Sequence, residues 1–170
     1  MTMENPYSLE IEKVLGEGNM PYQRMEHDPV FSMGSYQEIE QELDCKVPKN
    51  LFLSNQQHTK FYLLLMPGEK KFKTKELSQQ IHSARLSFAK EEELEDDLHC
   101  FHGCTNPFSL LFDKDNKISL LIDEDLLSLP RLGFHPCLNT VTLGIRTEDF
   151  LSRFLKRVHH PYTQVQLKGE

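Results

Sequence analysis

The chain has 170 residues, 38% hydrophobic and 9% aromatic, the composition of a soluble globular protein, and its length fits one domain (1–170) with one core and one pocket. No apolar run approaches the ~18 residues that span a bilayer, so no membrane partner is expected. A formal net charge of −7 excludes a protein that coats nucleic acid indiscriminately, because phosphate binding needs clustered Lys and Arg to displace counterions.

The first predicted element is a helix in SLEIEKVLGEG, with Ser8 as its N-cap, Ile11, Val14 and Leu15 on one face, and Gly16 or Gly18 ending it. The same N-terminal stretch lacks the basic and apolar regions of a signal peptide, which predicts a cytoplasmic chain whose four cysteines are thiols. Extended chain follows through YQRMEH and PVFSM. Ser35 and Glu38 stand at capping-box spacing, and Ile39 and Leu43 lie one turn apart, so 36–44 is predicted helical. NLFLS and KFYLLLM read as strands around the polar turn NQQHT. After PGEKK, Leu77 and Ile81 mark a helix that Thr74 could cap, RLSFA is a short strand, and Leu94 and Leu98 form the buried edge of an acidic helix. FSLLFD and KISLLID flank DKDN and predict a hairpin. TVTLGI is a further strand, and Thr147 then caps a helix with Phe150, Leu151, Phe154, Leu155 and Val158 on one face. Strands with interspersed helices predict one α+β domain built on a mixed, strongly curved sheet.

Two basic clusters, Lys70, Lys71, Lys73 and Lys75, and Arg153, Lys156, Arg157, His159 and His160, read as solvated faces, as does the acidic run Glu91 to Asp97. HCFHGC at 99–104 carries ligand types that zinc favours, but Cys100 and Cys104 are four apart and no second close pair exists. No metal is expected. A cysteine nucleophile needs a base and an orienting group, and nothing in the sequence places both around one thiol. GxGxxG and GxxxxGK[ST] are absent, so no nucleotide cofactor is expected.

Three loops joined to apolar strands remain: PKN (48–50), GCTNP (103–107) and GFHP (133–136). Lys49 stands beside Val47, Leu51, Phe52 and Leu53, where a charge is costly unless it is solvated or faces a pocket. Gly103 and Pro107 bracket a turn in which backbone N–H groups could point outward. His135 sits between Phe134 and Pro136 on a constrained backbone, which suits a pocket wall with one polar contact. The order KNLFL, RLSFA, GCTNP and GFHPCLNTVT, spread from about Pro21 to Leu155, resembles the YbaK-type aminoacyl-tRNA deacylases, most closely their PrdX-like prolyl-tRNA editing branch.

That resemblance implies a mixed sheet curled toward a barrel, and hydrolysis of the ester joining a wrong amino acid to tRNA(Pro), alanine foremost and cysteine next. It implies Lys49, Gly103 and His135 as catalytic, and Asn50, Thr105, Asn106, Pro107 and Phe134 as substrate-binding. It also implies that the terminal ribose hydroxyl of the tRNA helps to activate water, with no metal or other cofactor. The acceptor end of tRNA(Pro) is the implied partner, and prolyl-tRNA synthetase is a candidate one. Asn106 departs from the family, whose members commonly carry a small hydroxyl residue before the proline. A noncatalytic module that binds an aminoacyl end or a synthetase in the same cleft is the alternative from another class.

Overall fold

Local chemistry settles the first helix. In the computed structural model, which describes residues 5–30 and 36–169, Asn5 rather than Ser8 caps α1 (Pro6–Glu17). The Asn5 side chain accepts from the N–H groups of Tyr7 and Ser8, and Pro6 occupies the first turn, where a missing N–H costs nothing. Ser8 is instead buried beside Ile11 and Leu15. β1 (Tyr22–Glu26) and α2 (Gln37–Leu43) follow; the expected cap Ser35 and the end of PVFSM lie outside the described residues.

β2 (Lys49–Ser54) and β3 (Phe61–Met66) pair antiparallel around a turn that Asn55 organises, its Oδ1 accepting from the N–H groups of Thr59 and Lys60. α3 (Thr74–Gln80) begins at Thr74, with Lys73 in the cap position, so the Thr74 hydroxyl is not the cap expected of it. β4 (Ser87–Phe88) and α4 (Glu91–Leu98) match the short strand and the acidic helix.

The expected hairpin does not form. Residues Pro107–Phe112 make a 3-10 helix because Asn106 caps it and Pro107 sets its first turn, and the consecutive burial of Pro107 to Leu110 leaves none of the alternation of a half-exposed strand. Asp113 then accepts from Lys117 N (3.0 Å) and Ile118 N (2.9 Å) and launches β5 (Ile118–Asp123), which lies parallel to β3. After α5 (Glu124–Leu127), part of the expected GFHP loop is itself a strand, β6 (Arg131–Phe134). β7 (Val141–Arg146) leads into α6 (Thr147–Asp149), a π-helical turn (Phe150–Phe154) and α7 (Leu155–Arg157). Arg146, not Thr147, holds the cap position there. β8 (Tyr162–Val165) ends the fold.

The α+β class is as expected, but the strands divide into two open sheets rather than one sheet curled toward a barrel: an antiparallel β1-β7-β6 and a mixed β4-β2-β3-β5-β8. They meet at one seam. Lys46 pairs in parallel with Leu132, its N–H donating to Arg131 O (3.1 Å) while Gly133 N–H donates to Lys46 O (2.8 Å). Only glycine fits there, since a Cβ on Gly133 would lie 2.8 Å from Cys45 Sγ and 3.2 Å from Val47 Cγ2 and Thr142 Cγ2.

Alternation along β2 divides what lies on its two sides. Phe52 joins Leu63 and Leu65 in the main core, where Phe108 packs edge-on against Phe134 and Phe154. Leu51 and Leu53 face the other way and pack with Leu64, Met66 and Leu77. Among the described residues no helix is long and apolar enough to cross a membrane.

Gly133→Ala is expected to destabilise the fold by about 1–3 kcal/mol through overpacking at the seam. Urea denaturation measures it, and an unchanged midpoint would mean that the seam has slack.

Candidate active site

The seam sets two of the three loops side by side. From the Lys46–Leu132 bridge the chain runs one way into Pro48, Lys49 and Asn50, and in parallel into Phe134 and His135. The third loop joins them through Cys137. Its thiol lies 3.1 Å from Ser109 Oγ, 3.6 Å from Asn106 Nδ2 and 3.7 Å from Cys100 Sγ.

Asn106 is fully buried, and besides its contacts to the Cys100 and Cys137 thiols it has its shorter hydrogen bonds close by in the chain. Its amide donates to Cys104 O (3.1 Å) and Ser109 Oγ (3.1 Å), and its carbonyl accepts from Ser109 N (3.2 Å). It braces the loop from inside, and Pro107 is buried behind it. Thr105 is half-buried and Gly103 is exposed, so these are the loop's outward residues. Gly103 has φ +103°, a left-handed backbone that a side chain would strain, although the space around it is open.

The Cys100 and Cys137 thiols beside Asn106, and Cys45 at the seam, are held protonated. Hydrogen bonding with Cys104 and burial push Cys100 up to about 12, bonding with Cys100 and burial push Cys137 up as well, and burial pushes Cys45 up to about 12. Such thiols are poor nucleophiles. Among the described residues no group of three or more His, Cys, Asp or Glu is placed to hold a metal ion.

His135 is buried and its tautomer follows from its partners. Nδ1 lies 2.9 Å from the Val141 carbonyl, which only accepts, so Nδ1 carries the proton and shares it with Thr142 Oγ1 at 3.1 Å. Nε2 therefore accepts from the Tyr36 hydroxyl at 2.7 Å. Thr142 passes its own proton to His27 Nε2 at 2.7 Å, and His27 Nδ1–H donates to Asp28 O at 2.8 Å. Burial pulls the His135 pKa down to about 4; the Val141 bond opposes the shift and His27 adds to it. The ring is a neutral, fixed hydrogen-bonding group at neutral pH. Tyr36, Thr142 and His27 were not singled out from sequence: two of them lie 99 and 115 residues from their partners in this chain of bonds, and none carries a local motif.

Lys49 opens β2 opposite Met66, so its side chain belongs to the Leu51 and Leu53 side. Its ammonium is half-buried and donates to the Lys70 carbonyl. Lys70 is itself anchored by Asp125 (2.7 Å), Asp123 (3.0 Å) and the Leu167 carbonyl (2.6 Å). Burial opposes the Lys70 charge, but Asp125 and Asp123 outweigh it and hold its pKa above the ordinary lysine value. Asn50 points to the opposite side. Its amide donates to Pro48 O (3.1 Å), while its Oδ1 is buried with no partner among the described residues. A cleft of 330 Å³ opens beside this loop, walled by Val47, Pro48, Gly68, Asp125 and Leu126. Phe134 is only 1% exposed and supports the site from within the core. The structure thus joins the GCTNP loop to Cys137 just beyond GFHP, brings the PKN backbone alongside GFHP, and sets the Lys49 amine on the Lys70 carbonyl.

The family model described as the aminoacyl-tRNA editing domain matches residues 27–152. The chain is 29% identical over 153 residues to the prolyl-tRNA editing protein ProX of Acetoanaerobium sticklandii, covering 90% of this chain and 93% of ProX. It is 30% identical over 155 residues to prolyl-tRNA synthetase associated domain-containing protein 1 of Mus musculus, covering 89% and 90% of the two chains. The fold is similar to the crystal structure of a proposed trans-editing enzyme for prolyl tRNA synthetase, with a TM-score of 0.69 at 14% identity, covering 97% of this chain and 99% of that one.

A ring that resists protonation when folded but titrates near 6.5 when unfolded retains its contribution to stability above pH 6.5 and loses it as the pH falls toward about 4. The His135 ring resonances in an NMR titration are therefore expected to stay at their neutral positions down to about pH 5. A midpoint near 6.5 would mean that the ring is solvated.

Proposed function

The chain belongs to the aminoacyl-tRNA editing domain family, and from that footing we propose that it is a free-standing, single-domain editing protein that hydrolyses the ester of mischarged tRNA(Pro), alanyl-tRNA(Pro) foremost. That it is an aminoacyl-tRNA deacylase, a carboxylic ester hydrolase, comes with the family and with its likeness to ProX. Its partner is the acceptor end of tRNA(Pro), with prolyl-tRNA synthetase a candidate second, and its place of action is the cytoplasm.

One observation supports the reading above others: the Lys46–Gly133 seam sets the PKN and GFHP segments side by side, and Asn106 of GCTNP meets Cys137 just beyond GFHP. Hydrolysis of an ester gains most from fixed donors aimed at the developing oxyanion. Lys49 and the backbone around Gly103 take that role. In the free protein the Lys49 amine rests on the Lys70 carbonyl, and its flexible stem lets it exchange that neutral acceptor for a phosphate or ester oxygen. Asn50 Oδ1, buried without a partner among the described residues, is an acceptor for the α-ammonium that every aminoacyl ester carries. His135, neutral and hydrogen-bonded on both nitrogens, holds Tyr36 in place rather than abstracting a proton. The terminal ribose hydroxyl of the substrate helps to activate the attacking water.

A second reading, a noncatalytic binding module, draws on the same two contacts: the occupied Lys49 amine and the His135 Nε2 already bonded to Tyr36. One assay separates the two. With tRNA(Pro) charged in turn with alanine, cysteine, serine and proline, alanine is expected to be released fastest and proline spared. Lys49→Ala is expected to slow release by ~10²–10³-fold with an unchanged melting temperature. An unchanged rate in that variant would remove Lys49 from the chemistry, and tight binding of every charged tRNA without cleavage would establish the module.

A further inference from the structure

The molecule carries a net charge of −7, yet between residues 70 and 86 the chain has five cations and one carboxylate. Two adjoining grooves, of 590 and 780 Å³, share Lys73, Lys75 and Gln79 along their common ridge; Arg85 lines the first and Lys168 the second. Among the described residues, Lys71, Lys73, Lys75, Arg85 and Lys168 take part in no salt bridge, and all five are exposed. The one carboxylate, Glu76, is engaged by the backbone N–H groups of Lys168 and Gly169. The grooves are also preformed: Gln80 Oε1 accepts from Gln166 N (2.7 Å) and stitches α3 to the C-terminal segment. The other basic cluster is different. Arg157 is bound to Glu17 (3.1 Å), and Arg153 to Asp149 (3.5 Å) and to the Gly18 carbonyl (2.8 Å).

An aromatic stands beside the free cations. Phe88 on the edge strand β4 is 61% exposed and meets Phe72, the residue between Lys71 and Lys73, edge-on at 5.8 Å. Phe88 pairs with Leu53 in β2, and Leu53 packs with Leu77 of α3, so Phe88 and α3 share one side of the sheet. Lys49 is on that side too, four residues along β2. Unpaired cations that track a groove, with an exposed ring beside them, are what single-stranded nucleic acid requires: charge for the phosphates and a flat apolar face for a base.

We propose that the α3 grooves with Phe88 form a binding surface for single-stranded RNA, and that it takes the unpaired 3′ nucleotides of the acceptor end, with phosphates on Lys73, Lys75 and Arg85 and a base stacked on Phe88. The inference rests on the deacylase reading for the identity of the RNA, and it puts the strand on the side of the sheet where the Lys49 amine lies.

Fluorescence anisotropy with a labelled tRNA(Pro) acceptor microhelix, with and without its unpaired 3′ nucleotides, tests it. Lys73→Ala/Lys75→Ala/Arg85→Ala, shown folded by circular dichroism, is expected to weaken binding of the tailed microhelix at least ~10-fold. It should also flatten the slope of log Kd against log salt by about two, because each single-strand phosphate contact contributes about 0.7. Phe88→Ala is expected to weaken the tailed microhelix by ~10-fold and the trimmed one not at all. Unchanged affinity and slope in the triple variant would overturn the proposal. So would the same loss in Lys156→Ala/Arg157→Ala instead, an equal effect of Phe88→Ala on both RNAs, or displacement of the RNA by polyglutamate at matching concentration, which would mark an acidic polypeptide as the partner. Ester cleavage by the unaltered protein is followed in parallel. If RNA binding behaves as expected and no ester is cleaved, the deacylase reading fails and the surface stands.

Discussion

The close approach of Gly133 to Cys45 and Val47 is the constraint on which the rest of the arrangement depends. Because no side chain intervenes, two backbone hydrogen bonds can form between Lys46 and β6, and they join sheets that have no other pairing among the described residues. The Glu40 carboxylate reinforces the joint by accepting from Val47 N at 2.8 Å, which fixes the chain just before Pro48. From that point PKN and GFHP run in the same direction. A shift of the seam by one residue would turn every side chain on one of these segments to the other side, and His135 could not keep its bonds to both Val141 and Tyr36.

The seam also separates two electrostatic environments. Around the GFHP and GCTNP loops the polar groups are neutral: His135 with its pKa near 4, the Cys100 and Cys137 thiols raised by burial and mutual bonding, and the Asn106 amide. An isolated charge there would carry a large desolvation cost. On the other side of β2 the cations begin. Lys70 is anchored by two aspartates, while Lys73, Lys75 and Arg85 stay in solvent and so incur no such cost. An acidic protein can present a local positive surface in part because six of its 26 carboxylates sit together elsewhere, in the run Glu91 to Asp97 that forms α4.

Much of this was legible in the residues, and the failures have physical causes. The strands β2 and β3 carry apolar runs, β7 has Val141, Leu143 and Ile145 in alternation, and α4 has an apolar edge, so each shows its own pattern. The resemblance read over Pro21 to Leu155 agrees with the family match over 27–152. FSLLFD was misread because an apolar run of that length fits a strand or a buried helical turn equally well; the deciding groups, Asn106 as cap and Pro107 as first residue, precede the run. Asn5 followed by Pro6 carries a stronger cap signal than Ser8. β8 shows three exposed residues and one buried one, a pattern that means nothing until β5 is beside it. The bonds from His135 to Tyr36 and from Thr142 to His27 are set by tertiary contact, which no local spacing encodes. The direction of the Lys49 amine depends on a register: the parity of β2 follows from its pairing with β3, and residue type alone does not supply it.

The same buried network bears on how an amino acid would be chosen. By the resemblance, Asn106 stands where a hydroxyl residue is usual, and its amide donates to Cys104 O and Ser109 Oγ, with the Cys100 and Cys137 thiols also in reach. The hydroxyl of Ser109 is drawn toward Cys100 and Cys137 in turn. A polar network that is bonded to itself has little left with which to recognise a polar side chain, so under the proposed function a pocket resting on it would sort its guests by volume. Volume alone separates neighbours that differ by one methylene by only ~1–3 kcal/mol. That margin is adequate for a second sieve, which need only reject the residue its synthetase favours; proline's ring is larger than alanine's methyl by more than one such step, whereas cysteine differs from alanine by a single atom of sulfur. Under the proposed function, rejection of the prolyl ester would thus be the easier task, and resolution among the small wrong ones the harder.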